Sequence, residues 1–300
     1  MHAIISRTEI NLKDFIFIKE LELGSIGRSR CYKDKKSNKD IYVFKQIGYI
    51  SSSNFPMQFI KFRANFPSLL PYNSVSKLAS KENNSIFLIT TRYFDLGSLE
   101  KQISTQSLNP TEKTIAIFGI ASAIYYLHSN DIFHGHLYPS NVLFNEQKEP
   151  QICDFSLFQL HSHDTSKIVE INKSSFLSPE QLFNSKVDAK TDVFSYGKIL
   201  LYILSDDLYY LDFYTELISK CCDKNPNNRP NFSDILQLFT TNTDFILEGS
   251  DIQKVSDYQH KLFPKGFQFK NSHTPEIIEN RSLILLPPYQ NSEIRDNFQQ

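Results

Sequence analysis

Two polar clusters hold the side chains of this 300-residue chain that could do chemistry together: His134-Gly135-His136-Leu137-Tyr138-Pro139-Ser140-Asn141 and Cys153-Asp154-Phe155-Ser156. Val142–Phe144 and Gln151–Cys153 lie between them and read as short strands flanking the polar turn Asn145–Pro150. A hairpin there would bring Asn141 and Asp154 side by side. An amide oxygen and a carboxylate facing one gap suit Mg²⁺, a hard cation that takes oxygen ligands and keeps waters or phosphate oxygens. Two imidazoles stand close by. His136 is chemically able to take a proton, with an unperturbed pKa of about 6.5, but it brings no fixed negative charge to orient a substrate hydroxyl. His134 reads as a packed, hydrogen-bonded core residue.

The order of these residues resembles the catalytic and metal-binding loops of the eukaryotic protein kinases, H-R-D-L-K-P-x-N followed by D-F-G. His134, Leu137, Pro139, Asn141, Asp154 and Phe155 match that pattern. The reactive positions depart from it. His136 stands for the catalytic Asp, Gly135 for the Arg, Tyr138 for the Lys and Ser156 for the last Gly. The wording of Gly119–His128 and Cys221–Pro230 is similar to the tyrosine-kinase-like Ser/Thr kinases. The resemblance spans residues 14–241 and implies an α+β, bilobal protein-kinase fold. It comprises a small β-rich N-lobe (about 14–92), a larger helical C-lobe (93–241) and a shortened region after the central helix. It further implies Gly24, Lys45 and Asn141 as nucleotide-binding residues, and Asn141 and Asp154 as metal ligands. His134, Phe155, Glu180, Asp192 and Arg229 take structural roles, and His136 sits at an inactivated catalytic position.

The elements that must position these groups are legible in outline. Residues 14–47 alternate as three strands separated by turn-like stretches. Gly24 is the only one of three motif glycines present, with Ile26 and Ser29 replacing the others. A phosphate-cradling loop needs glycine because the backbone must approach phosphates without a Cβ in the way; read alone, the stretch is equally an ordinary hairpin turn. Lys45 sits where a strand lysine would hold ATP phosphates, and an active kinase pairs it with a Glu on the next helix. No Asp or Glu occurs from Gln46 to Lys81. The helix candidate at about 54–65 offers Met57 or Gln58 at that position, Met57 being the preferred register.

Ser85–Tyr93 reads as a buried strand with Thr91 at the resembled gatekeeper position. Asn109-Pro110-Thr111-Glu112 is a helix start, with a capping residue, Pro in the first turn and Glu three on. Ser178-Pro179-Glu180 matches A-P-E, whose glutamate pairs by resemblance with Arg229. Thr191–Leu204 reads as the buried central helix, in which Asp192 is implied to anchor the catalytic-loop backbone.

Thirty-two basic residues against 33 acidic ones give a net charge of −1, so no electrostatic footprint for nucleic acid stands out. Cys31, Cys153, Cys221 and Cys222 form no C-x-x-C pair and read as free thiols in a reducing, cytoplasmic setting. No apolar run approaches a membrane span. Residues 242–300 are polar and proline-interrupted, an expected poorly ordered extension with one apolar island at Leu283–Leu286. The expectation is a pseudokinase: a binding, scaffold or regulatory module for other signalling proteins, with at most weak Mg-nucleotide (ATP) binding. The alternative is a divergent active Ser/Thr kinase transferring the ATP γ-phosphate to protein hydroxyls.

Overall fold

Alternation of side chains shapes the first part of the chain. The computed structural model describes residues 12–21, 28–37, 39–51, 65–81, 84–155, 157, 175–184, 187–205 and 212–267. These fall into two units. One takes the described residues up to position 64 and Pro71–Tyr93; the other takes Asn65–Leu70 and the described residues from Phe94 onward. A β-sheet unit and a mainly helical unit make this the α+β, two-lobed class.

The first unit is a five-stranded antiparallel sheet of β1 (Phe15–Glu20), β2 (Arg28–Asp34), β3 (Ile41–Ser51), β4 (Ser74–Lys81) and β5 (Asn84–Arg92), in spatial order β1-β2-β3-β5-β4. Successive strand residues point to opposite faces, so Phe44 and Lys45 face apart. Phe44 joins Tyr32 and Leu88 in a buried cluster, with Phe15 and Tyr42 packed against it. Edge-on ring contacts at 4.8 Å (Tyr32–Phe44) and 5.1 Å (Phe15–Phe44) knit that face. On the other face the register aligns Lys45 with Ser29 and Ile89, and Val43 with Cys31 and Thr91.

The second unit is built on α1 (Leu99–Ser104), α2 (Pro110–His128), α3 (Pro179–Asn184), α4 (Ala189–Ile203), α5 (Asp212–Cys221), α6 (Phe232–Thr241) and α7 (Ile252–Leu262), with a hairpin of β6 (Val142–Phe144) and β7 (Pro150–Ile152). The helix start read at Asn109 is a complete capping box: Asn109 accepts from the Glu112 amide, and the Glu112 carboxylate accepts from the Asn109 amide, both at 3.0 Å. Inward from there α2 is buried on nearly every side, including Ile117, Ile120, Ile124 and Leu127. α4 starts on Asp188, whose side chain accepts from the Lys190 and Thr191 amides, and buries Asp192, Tyr196, Ile199 and Leu200.

Beyond residue 241 the chain departs from the expected loose extension. Thr243–Phe245 forms a 3-10 turn and α7 follows, capped by Asp251 and burying Val255, Tyr258 and Leu262. Sparse apolar spacing in a polar stretch hid this helix; its partners are Ser68, Phe66 and Phe118, far away in sequence. Residues 268–300, with the Leu283–Leu286 island, lie outside the described residues, as do Gly24, the 54–64 part of the helix candidate and the 206–211 connection. Among the described residues no helix is long and apolar enough to cross a membrane.

Candidate active site

The hairpin that joins the two polar clusters forms as read, shifted by one residue on its second strand. Val142 pairs with Ile152, Leu143 with Gln151 and Phe144 with Pro150. One further bond, from the Cys153 amide to the Asn141 carbonyl at 3.0 Å, carries the pairing to the point where the chain reaches Asp154. Asn141 and Asp154 therefore leave the same end of one hairpin. Asn141 donates its Nδ2 to the His136 carbonyl at 2.8 Å, which fixes the amide and leaves Oδ1 as its acceptor side. Asp154 is buried and sits at φ +61, in the left-handed region that Asp tolerates better than most residues. Phe155 and Leu157 are fully buried after it and fix the chain's exit. An amide oxygen and a carboxylate on one hairpin end fit Mg²⁺. No group of three His, Cys, Asp or Glu side chains gathers among the described residues.

A second carboxylate shapes the loop before Asn141. Asp192, 1% exposed on α4, accepts from the backbone amides of His134 (2.8 Å) and Gly135 (2.7 Å) and lies 2.8 Å from His128 Nε2. Three donors on one carboxylate are what a buried charge requires. Gly135 takes φ +69, a conformation strained for any residue with a Cβ, so the glycine found where the family pattern has Arg suits the turn that Asp192 anchors. Its carbonyl is held in turn by Gln181 Nε2 at 2.6 Å.

His134 links the loop to the hairpin. Its Nδ1 accepts from the His136 amide at 3.2 Å, which places the proton on Nε2, facing the Cys153 carbonyl at 3.1 Å. Complete burial pushes its pKa below the ordinary value, with the nearby Asp192 and Asp154 charges pulling the other way, so the ring works as a neutral strut.

His136 and Tyr138 are each 1% exposed. Their rings meet edge-on at 4.3 Å, and the contact continues from Tyr138 to Phe176 and from Phe176 to Tyr202, each at 6.0 Å. Phe176 is held by its own carbonyl, which accepts from Ser195 Oγ at 2.8 Å. Where the resembled pattern places an acid and a base, this chain has a column of rings. Arg229 and Glu180 form a second, part-buried pair. Arg229, 1% exposed, makes two bonds to Glu180 (2.6 and 3.0 Å), donates to the carbonyls of Asp223 and Lys190, and lies 5.0 Å over the Phe194 ring. Partial burial raises the Glu180 pKa, yet the Arg229 hydrogen bonds outweigh it and leave that carboxyl below its usual value.

Lys45 stands in the sheet unit on β3, half-buried, on the face opposite Phe44. Gln181, His128 and the Phe176–Tyr202 contact are the participants that sequence reading missed. Gln181 directly follows Ser-Pro-Glu, and only its position two residues beyond that proline pointed to it.

The residues matched by the protein kinase domain family model are 17–214. The probable serine/threonine-protein kinase kinX of Dictyostelium discoideum is 25% identical over 89% of this chain and 27% of its own length. The probable serine/threonine-protein kinase kinY of the same organism is 26% identical over 94% of this chain and 55% of its length. A G-type lectin S-receptor-like serine/threonine-protein kinase of Arabidopsis thaliana is 32% identical over 62% of this chain and 22% of its length. The chain thus spans only part of the curated relatives it matches. With two thirds of its residues inside the family model, and with the hairpin, the anchored loop and the Arg229–Glu180 pair in place, this chain belongs to the protein kinase domain family.

Proposed function

We propose that this domain is a pseudokinase: a kinase-fold binding, scaffold or regulatory module with at most weak Mg-nucleotide binding, acting on other signalling proteins in the cytoplasm. The observation that carries the reading is the edge-on packing of His136 and Tyr138, each 1% exposed, at the positions of the family's catalytic Asp and Lys. Phosphoryl transfer is mostly positioning and charge stabilisation, and a general base adds roughly 10²–10⁴-fold. An enclosed ring pair supplies neither a base that reaches a hydroxyl nor a fixed cation for the transferring group. Residues 46–81 add no carboxylate to clamp Lys45.

The retained donors favour some nucleotide binding. Asn141 and Asp154 would hold Mg²⁺, and the resemblance to the kinases assigns Lys45 and Gly24 to nucleotide phosphates. The metal, when bound, neutralises phosphate charge. The same two oxygen donors favour the second reading, a slow Ser/Thr kinase.

The two readings separate in one assay. The 300-residue chain with labelled ATP, Mg²⁺ and a generic protein substrate is expected to show no transfer above its Asp154→Ala variant. Transfer clearly above that control overturns the pseudokinase reading. Thermal denaturation with and without Mg-ATP then measures occupancy, with a small upward shift expected that Asp154→Ala abolishes.

A further inference from the structure

α7 lies beyond the matched kinase region and packs on α2, with further contacts to the residues that flank and bridge β7. Tyr258 and Ser68 are both buried, with their hydroxyls 2.7 Å apart. The Ser68 backbone carbonyl accepts from the Ile152 amide at 2.8 Å, and the Leu70 amide donates to the Ile152 carbonyl at 2.9 Å. Gln151 adds a bond to the Pro67 carbonyl at 2.6 Å. Residues 67–70 therefore extend β7 by one short parallel bridge, Leu69 to Ile152. At the other end of β7, Lys261 reaches Glu149 at 2.6 Å. A Cβ on Gly119 of α2 would run into both the Tyr258 hydroxyl and the Pro150 ring, so α2, α7 and the start of β7 close on each other. Phe66 completes the grip, stacked on Tyr126 at 4.8 Å and set against Phe263 at 6.0 Å.

We propose that α7 is a clamp on β7, and that its docking sets the conformation of the Cys153-Asp154 segment that β7 feeds. The path is short: Tyr258 to Ser68, Ser68 to Ile152, then Cys153, whose amide bonds Asn141, and Asp154 at φ +61. A left-handed Asp needs surroundings that over-determine it, and β7 held at both ends supplies them. α7 buries only Val255, Tyr258 and Leu262. An element with so few buried contacts opens at lower free energy than the α2–α4 core, so it can undock while the rest stays folded. A partner that draws α7 away would loosen the Asp154 segment from a distance. The consequence for Mg-nucleotide rests on the function proposed above; the coupling does not.

The test is hydrogen exchange on the full chain without nucleotide, comparing Tyr258→Phe, Gly119→Ala and the exposed-site control Lys254→Ala. Tyr258→Phe removes one buried hydrogen bond, and Gly119→Ala forces the Tyr258 and Pro150 side chains to move. Both are expected to speed exchange of the Leu70, Ile152 and Cys153 amides roughly tenfold, the factor for one lost buried hydrogen bond, with α4 amides and the control unchanged. Faster exchange confined to α7 overturns the clamp, because docking then sets nothing beyond itself. Acceleration that includes α4 overturns it too, because α7 is then ordinary packing. Since no nucleotide is present, a failed Mg-ATP shift elsewhere leaves this result standing.

Discussion

Asp192 anchors the buried loop to which His136 belongs, and the chain treats the two positions in opposite ways. At Asp192 a full carboxylate stays buried and satisfied by three donors. At His136 the carboxylate of the family pattern has gone and a ring packs on Tyr138. The charge at Asp192 holds backbone in shape, while at the positions of the family's catalytic Asp and Lys this chain packs two rings. A fold needs the first kind whether or not it turns over a substrate, since an anchored loop without its carboxylate leaves buried amides unpaired. A charge of the second kind, one placed to act on a substrate, costs stability to keep buried, and the fold itself does not call for it.

The sharpest way to break that contrast is Asp192→Asn. An amide offers one acceptor where the carboxylate offers two, and it turns its NH₂ toward an amide N–H of His134 or Gly135. A loss of about 3 kcal/mol in denaturant unfolding is expected, the scale for breaking a buried charged network. A loss below about 1 kcal/mol would mean the loop holds its shape without this anchor.

His136→Asp comes next in size. It places a carboxylate among Tyr138 and the neutral His134 in a site 1% exposed, so about 2 kcal/mol of stability should go. Turnover should stay absent, because a base alone replaces neither the Lys at Tyr138 nor the geometry. Restored transfer of labelled phosphate would show that the ring column was the only fault.

These sites also show how far the sequence could be read. The Asn109 capping box, the β6–β7 hairpin and the buried α4 are local patterns, and each was legible in the residues, whereas the Arg229–Glu180 pair was implied only by the resemblance to the kinases. The His136–Tyr138–Phe176–Tyr202 column was not, because edge-on ring packing across tens of residues leaves no periodic trace. β4 went unread for a different reason: Ser74–Lys81 is mostly polar, and its strand form comes from pairing with β5. α7 combines both difficulties. It is polar over most of its length, and its buried stripe finds partners at Ser68 and Phe118 that no window around residue 255 contains.

Acid probes the loop more gently. His134 has its pKa lowered in the fold chiefly by burial. Below its ordinary value of 6.5 the unfolded chain binds a proton that the folded ring resists. Stability from this group is therefore complete above that pH and declines as pH falls through it. The unfolding midpoint in urea should drop between pH 7.5 and 5.5, and His134→Gln should flatten that slope. An equal slope in the variant would move the cause to another histidine.

The smallest effect is the most discriminating, because it repeats the Asp192 substitution at the other carboxylate. Asp154→Asn keeps the side-chain shape, and Asn tolerates the left-handed conformation at φ +61 as readily as Asp. If Asp154 persists for what it binds, the exchange should cost less than about 1 kcal/mol of unfolding stability, well below the loss from Asp192→Asn. The upward thermal shift with Mg-ATP should vanish at the same time, since an amide replaces the one anionic ligand. If Asp154 is instead a strut like Asp192, the loss should approach that of Asp192→Asn whether or not nucleotide is present. Denaturant curves of the two Asn variants, run side by side with and without Mg-ATP, separate a carboxylate kept for shape from one kept for a ligand.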